Sequence, residues 1–210
     1  MIEQLITYTG YFILFVNAFL YCKMAVISRS LTLFTVYLCV IAIIQGLSFL
    51  LWYHKMNNLY LSHFYFIAQF ILLSLFYREA LVRKAYKTLT TALLAAVLMV
   101  LGVQYALQPG LYYKFNILEI VLTSLPLVAY SVLYFYESLN ENKQLLYINS
   151  GIFFYLLSST LLFASGNFIN DSSSSLSTLI WKMNVSLYLI YQILLFTEWY
   201  KNLRTKKQGL

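Results

Sequence analysis

The chain has 210 residues, 61% of them hydrophobic, 19% aromatic and only 10% charged, with a formal charge of +7. A soluble globule carries about 25% charged residues, so the composition excludes a soluble domain and points to an integral membrane protein. The positive charge does not indicate nucleic acid either. The basic residues sit at the ends of apolar runs rather than on a polar face, and no polar domain exists to present the Tyr and Phe side chains to bases.

Apolar runs of about 20 residues, the length that crosses ~30 Å of hydrocarbon, predict an all-α, seven-transmembrane-helix bundle in one integral membrane domain over residues 1–210. The helices are expected at about 6–26, 31–53, 59–77, 89–107, 115–136, 145–168 and 178–200. The first run is too long and too aromatic for a secretory signal, follows no cationic stretch and lacks a small-residue cleavage motif, so it is expected to be retained. Cys22 and Cys39 lie in the first two runs without metal-ligand or CxxC spacing and read as small buried hydrophobes. The second run also holds Gln45 and Gly46, and the third begins with Ser62, His63, Tyr65 and Gln69. The fourth is the plainest. Its Ala92 and Ala96 form a small-xxx-small edge suited to close helix contact, and Gln108-Pro109-Gly110 ends it as a turn.

The fifth run, KFNILEIVLTSLPLVAYSVLYFYE from Lys114 to Glu137, places a carboxylate and a proline among lipid-compatible residues. An ionisable group at the centre of a membrane helix costs about 2.5–3.5 kcal/mol on insertion scales, so it normally faces protein or water and has a partner. Asn116, Glu119, Thr123, Pro126, Tyr130 and Tyr134 recur at steps of three or four, which puts them on one inward face. Glu119 also lies only about 6 Å from the helix end, at ~1.5 Å rise per residue, within reach of the headgroups. Pro126 fits an ordinary membrane-helix kink. The sixth run is dense in small and hydroxyl residues, among them Ser150, Gly151, Ser158, Ser159, Thr160 and Ala164, and belongs in the middle of a bundle. The seventh carries Asn184, Tyr188 and Gln192 at four-residue steps, a second inward polar stripe. A short basic tail follows, at 201–210.

Eleven Lys and Arg fall in the joins after helices one, three and five and in the tail, against Lys55, Lys114 and Lys182 on the other side. This bias sets the amino terminus outside and the carboxyl terminus in the cytoplasm. The longest join is the basic stretch from Arg78 to Thr88. The polar stretch from Asn170 to Ser177 reads as a flexible outer loop, and its Asn170-Asp171-Ser172 sequon is of a kind that Ser-rich loops match by chance. Trp52, Tyr53, Trp181, Trp199 and Tyr200 mark segment ends, as an aromatic belt does.

In this topology Glu119, Asn116, His63, Tyr65, Asn184, Lys182, Trp181, Gln45 and Asn167 share the outer half, a cluster in depth. Were His63 to lie next to Glu119, which depth alone does not decide, the two would form a hydrogen-bonded, pH-responsive pair. His63 equally suits an interfacial histidine meeting headgroups, and Lys182 is either a counter-ion for Glu119 or a snorkelling lysine. Glu119, His63, Asn116, Tyr65, Gln69, Thr123, Asn184 and Tyr188 are the candidate ligand-binding residues. There is no GxSxG, HExxH or P-loop signature, and His54 and His63 are the only histidines. No catalytic residue, metal site or cofactor is therefore expected.

The stretches YINSGIFFYLLSSTLLFASGNF (Tyr147 to Phe168) and IWKMNVSLYLIYQILLFTEWYKNLR (Ile180 to Arg204) resemble small seven-helix membrane proteins of Bacteroidetes-type bacteria, which in turn resemble the membrane-embedded sensor regions of histidine kinases. The resemblance implies a bacterial inner-membrane location and a non-enzymatic sensor or signalling-accessory role. It brings no catalytic motif, and only six residues follow Arg204, so output is expected through a separate membrane or cytoplasmic partner such as a histidine kinase. Beyond the bilayer and that partner, a homo-oligomer fits the composition and nucleic acid does not. Two other classes fit less well: a small transporter or channel, whose sites are commonly built on broken helices, and an intramembrane lipid hydrolase of the lysoplasmalogenase type, which calls for several converging acidic residues where Glu119 stands alone.

Overall fold

A computed structural model describes residues 2–140, 144–168 and 174–204. The side chain of Asn167, the Asn170-Asp171-Ser172 sequon, Lys143, Lys206 and Lys207 lie outside the described residues. Seven described helices are long and apolar enough to cross a membrane, and no strand occurs among the described residues. They are α1 (Ile2–Cys22), α2 (Arg29–Tyr53), α3 (Tyr60–Ala80), α4 (Lys84–Leu107), α5 (Ile117–Ser138), α6 (Leu146–Phe168) and α7 (Ser174–Glu198). In hydrocarbon every backbone N–H and C=O must be satisfied within its own segment, and long apolar helices do this. Side-chain caps start two of them. Ser28 accepts from the Leu31 amide at 3.2 Å ahead of α2, and Asn116 accepts from the Glu119 amide at 3.3 Å ahead of α5.

α1, α2, α3, α5, α6 and α7 close a ring, each packing on the next, with α7 returning to α1. α4 stands outside, against α3 and α5. Its isolation shows in burial: 17% of its apolar window is buried, against 50% in α3 and α6. Ala92 and Ala96 are exposed, so the small-residue edge makes no close contact within the chain. α4 uses Thr90, Val97 and Leu101 as its buried positions instead. The inward placement of α6 is borne out. A methyl group on Gly151 would lie 2.8 Å from Cδ2 of the Tyr191 ring on α7, so glycine permits the close α6–α7 crossing.

Several expectations need correction. The basic stretch from Arg78 to Thr88 is mostly helical: α3 continues to Ala80 and α4 begins at Lys84, because helices extend beyond the apolar core where lysine and arginine stems reach water. α7 ends in a π-helical turn, Trp199–Leu203, beyond the expected end at residue 200. Cys22 is exposed and Cys39 half-buried, so neither is a fully buried core thiol. Their sulfurs approach to 3.4 Å across α1 and α2.

Candidate functional site

The α5 stripe turns inward as its spacing requires. Asn116, Glu119, Thr123, Tyr130 and Tyr134 are all buried; Pro126 is half-buried within a continuous helix. Glu119 occupies the third helical position after the Asn116 cap, where a carboxylate commonly folds back to the cap's own amide. Here it points to α3 instead.

His63 and Glu119 meet with Nδ1 2.5 Å from Oε2, at 2% and 1% exposure. The Tyr105 hydroxyl of α4 donates to the same Oε2 at 2.8 Å and lies 2.9 Å from His63 Nδ1. Asn116 Nδ2 then donates to the Tyr105 oxygen at 3.3 Å and to Gln104 Oε1 at 3.2 Å. The turn after α4 folds as a short 3-10 helix, Pro109–Tyr113, which stacks Tyr112 on the His63 ring at 5.7 Å. Three helices thus share one polar core. His63 Nδ1 and Glu119 Oε2 are close enough to share a proton, and the groups around them belong to α3, α4 and α5. Two buried atoms of this core, His63 Nε2 and Glu119 Oε1, have no hydrogen-bond partner. Thr123 is spent on its own helix, donating to the Glu119 carbonyl at 2.7 Å.

The other expected residues face elsewhere. Tyr65, two positions after His63, lies on the opposite side of α3 and lines a cavity of about 320 Å³ inside the ring with Asn184, Tyr188 and Trp181. Tyr155 and Tyr11 add to its aromatic wall, with Phe66, Phe115 and Phe163. Asn184 Oδ1 is buried there without a hydrogen-bond partner. The hydroxyls of Tyr65 and Tyr188, which face Tyr155 and Gln192, close no hydrogen bond either. Gln69 belongs to neither place. It accepts from the Tyr37 hydroxyl at 3.5 Å deep in the ring, and Tyr191 donates to Tyr37 at 3.3 Å. Lys182 is exposed on α7, while Glu119 takes His63 and Tyr105 as its partners. The single cluster in depth is therefore two sites in space, a His–Glu seam between α3, α4 and α5 and a cavity inside the ring lined by uncharged residues.

Sequence reasoning missed Tyr105 and Tyr112 in the seam, although an aromatic residue on each side of Gln108-Pro109-Gly110 hints that the turn folds back. It also missed that Glu119 is not the only buried carboxylate. Glu137 accepts from the Val82 amide at 2.9 Å and the Arg83 amide at 3.0 Å, at the start of α4. Glu198 accepts from the Tyr147 amide at 2.8 Å, at the start of α6, and from Asn202 Nδ2 at 2.7 Å. Both sit where a helix N-terminus favours negative charge. They lie at the opposite end of the bundle from Glu119 and do not converge with it. No group of three or more His, Cys, Asp or Glu able to hold a metal occurs among the described residues. No protein family model, curated protein or solved structure matches the chain.

Proposed function

We propose that the chain is a non-enzymatic sensor subunit of a bacterial inner membrane, with its amino terminus outside and its carboxyl terminus in the cytoplasm. It binds a small molecule in the ring cavity and passes its state to a separate partner such as a histidine kinase. The observation that carries this reading is the cavity itself. Its volume falls at the lower end of small-ligand pockets, about 300–1,000 Å³, and its buried polar atoms lack the partners that such groups nearly always have. The resemblance, mainly over the last three helices, to small seven-helix membrane proteins that in turn resemble sensor regions agrees with this reading. The seam between α3, α4 and α5 supplies an element able to report ligand binding, since α3 carries Tyr65 on one face and His63 on the other.

The runner-up classes have less support. α5 runs unbroken through Pro126, unlike the interrupted helices common in transporters. His63 and Glu119 are not among the residues lining the cavity in which a lipid substrate would sit.

The test is phosphorylation of histidine kinases and response regulators in host cells that lack the chain or carry Asn184→Leu. A signalling protein whose phosphorylation changes in both supports the reading, and unchanged phosphorylation in both refutes it. Orientation is tested separately, in a chain freed of Cys22 and Cys39, with cysteines placed at Lys55 and Lys84. A membrane-impermeant maleimide applied to intact cells should label the first site and not the second; the reverse pattern overturns the topology.

A further inference from the structure

The ring cavity is continuous in its walls with two further spaces beside α1 and α2. Thr7, Tyr11, Ser48 and Asn58 line both the ring cavity and a neighbouring cavity of about 470 Å³. Tyr11 and Gln45 line both the ring cavity and a groove of about 340 Å³ between α1 and α2. Phe12, Phe15, Phe49 and Leu50 wall that groove, and all four are exposed. Gly46 lies in its floor, where a Cβ would come no closer than 3.5 Å to the Phe15 ring. An apolar trough on the outer face of α1 and α2 thus adjoins, with Tyr11 and Gln45 as the shared wall, a cavity that holds buried polar atoms without partners.

The two ends of this path differ in chemistry. Asn184 Oδ1 needs a donor and the Tyr65 and Tyr188 hydroxyls can each donate, so the inner end matches a group that both gives and accepts hydrogen bonds. None of the described residues lining the three spaces is charged. A charged head would enter without a counter-charge, which burial penalises heavily. The outer end is walled mainly by Phe12, Phe15, Phe49 and Leu50, suited to a hydrocarbon chain rather than a second head.

We infer that the site takes a neutral, single-chain amphiphile directly from the bilayer. Its hydrogen-bonding head, about the size of one substituted ring, occupies the ring cavity, and its tail lies in the α1–α2 groove. This inference rests on the reading of the ring cavity as a ligand site and adds the class of ligand and its route.

The probe is para-decylphenol carrying a diazirine midway along its tail, photolysed with the full chain in zwitterionic nanodiscs. Labelling should concentrate on Phe12, Phe15, Phe49 and Leu50 and be competed by unlabelled para-decylphenol. Decanoate, charged in its head, should compete at least about tenfold more weakly, as should decane, which lacks a hydrogen-bonding group. Gly46→Leu fills the groove from the lipid side and should cut the competed labelling about tenfold. Phe49→Ala widens the groove and should retain it. Labelling spread evenly over lipid-facing residues, or competed equally by decane, overturns the inference. A tail-free diazirine analogue of para-cresol separates the two levels. If it labels Tyr65 or Tyr188 saturably while the tailed probe spares the groove, the lateral route falls and the cavity reading stands. If neither probe labels saturably, both fall.

Discussion

The bundle buries carboxylates in two ways, and the contrast between its ends separates backbone capping from a side-chain cluster. At the carboxyl-terminal end Glu137 and Glu198 are held by backbone amides at the starts of α4 and α6. Glu137 takes one of those amides on both of its oxygens. Such a carboxylate completes a helix that would otherwise present orphan donors. At the other end Glu119 is held by side chains, uses one oxygen for two partners and leaves the other buried and idle. Backbone amides cannot change protonation state, whereas imidazole can. The first arrangement rests on groups fixed by the fold, and the second on two titratable side chains.

The contrast breaks most visibly at Glu137. Glu137→Leu leaves the part-buried Val82 and Arg83 amides without their carboxylate acceptor, at the lower part of about 1–3 kcal/mol for each, so a loss of about 3 kcal/mol at most is expected in reversible unfolding of the purified chain. Glu137→Gln should recover little of that loss, because both carboxylate oxygens accept and an amide replaces one of them with a donor. Near-parental stability of the Leu variant would show that water replaces the carboxylate at the start of α4, and the cap would then carry no weight.

A smaller loss is expected where the ring closes. Gly151→Ala drives a methyl group to 2.8 Å from a Tyr191 ring that is already stacked on Tyr155 at 5.3 Å. Overpacking of this kind costs about 1–3 kcal/mol. Gly102→Ala on α4 is the control, since nothing lies within 4 Å of the added methyl; it should stabilise by about 0.5–1 kcal/mol through helix propensity. Equal melting temperatures for the two variants would contradict the placement of α6 inside the ring and α4 outside it.

How far the sequence reveals this design depends on whether a residue's reason is local. The α5 stripe from Asn116 to Tyr134 was legible because polar side chains in a membrane helix must face protein, and a step of three or four residues says which face they share. The seven spans were legible for the same reason. Tyr105 was not, because one tyrosine in an apolar run reads as part of an aromatic belt until the fold brings α4 against α3. Glu137 and Glu198 were hidden by their position at segment ends, where a carboxylate reads as solvated; the helix starts they complete belong to other parts of the chain. The separation of seam and cavity was equally non-local. His63 and Tyr65, two residues apart on one helix, must look in opposite directions, but only the ring shows what lies on each side.

Glu119 itself gives the smaller and sharper tests. Glu119→Leu removes the partner of both His63 Nδ1 and the Tyr105 hydroxyl, and a cost of about 1–2 kcal/mol is expected, since Asn116 remains beside Tyr105 to offset part of the loss. A Leu variant as stable as the parent would mean that the seam contributes nothing to holding α3, α4 and α5 together.

Glu119→Gln is expected to change stability least, by less than about 1 kcal/mol, and the reason lies in the idle oxygen. Glutamine can keep its carbonyl oxygen on His63 and Tyr105 and place its amide nitrogen where Oε1 meets nothing. The same substitution at Glu137 cannot, which is the comparison in its most direct form. What Gln removes is the ability of the residue to share a proton with His63. If the seam reports ligand binding, Glu119→Gln should fold and melt like the parent yet fail to change the phosphorylation state of the partner in cells. A variant that both folds and signals normally would make Glu119 a structural group like Glu137, and the switching role would then have to lie within the ring cavity alone.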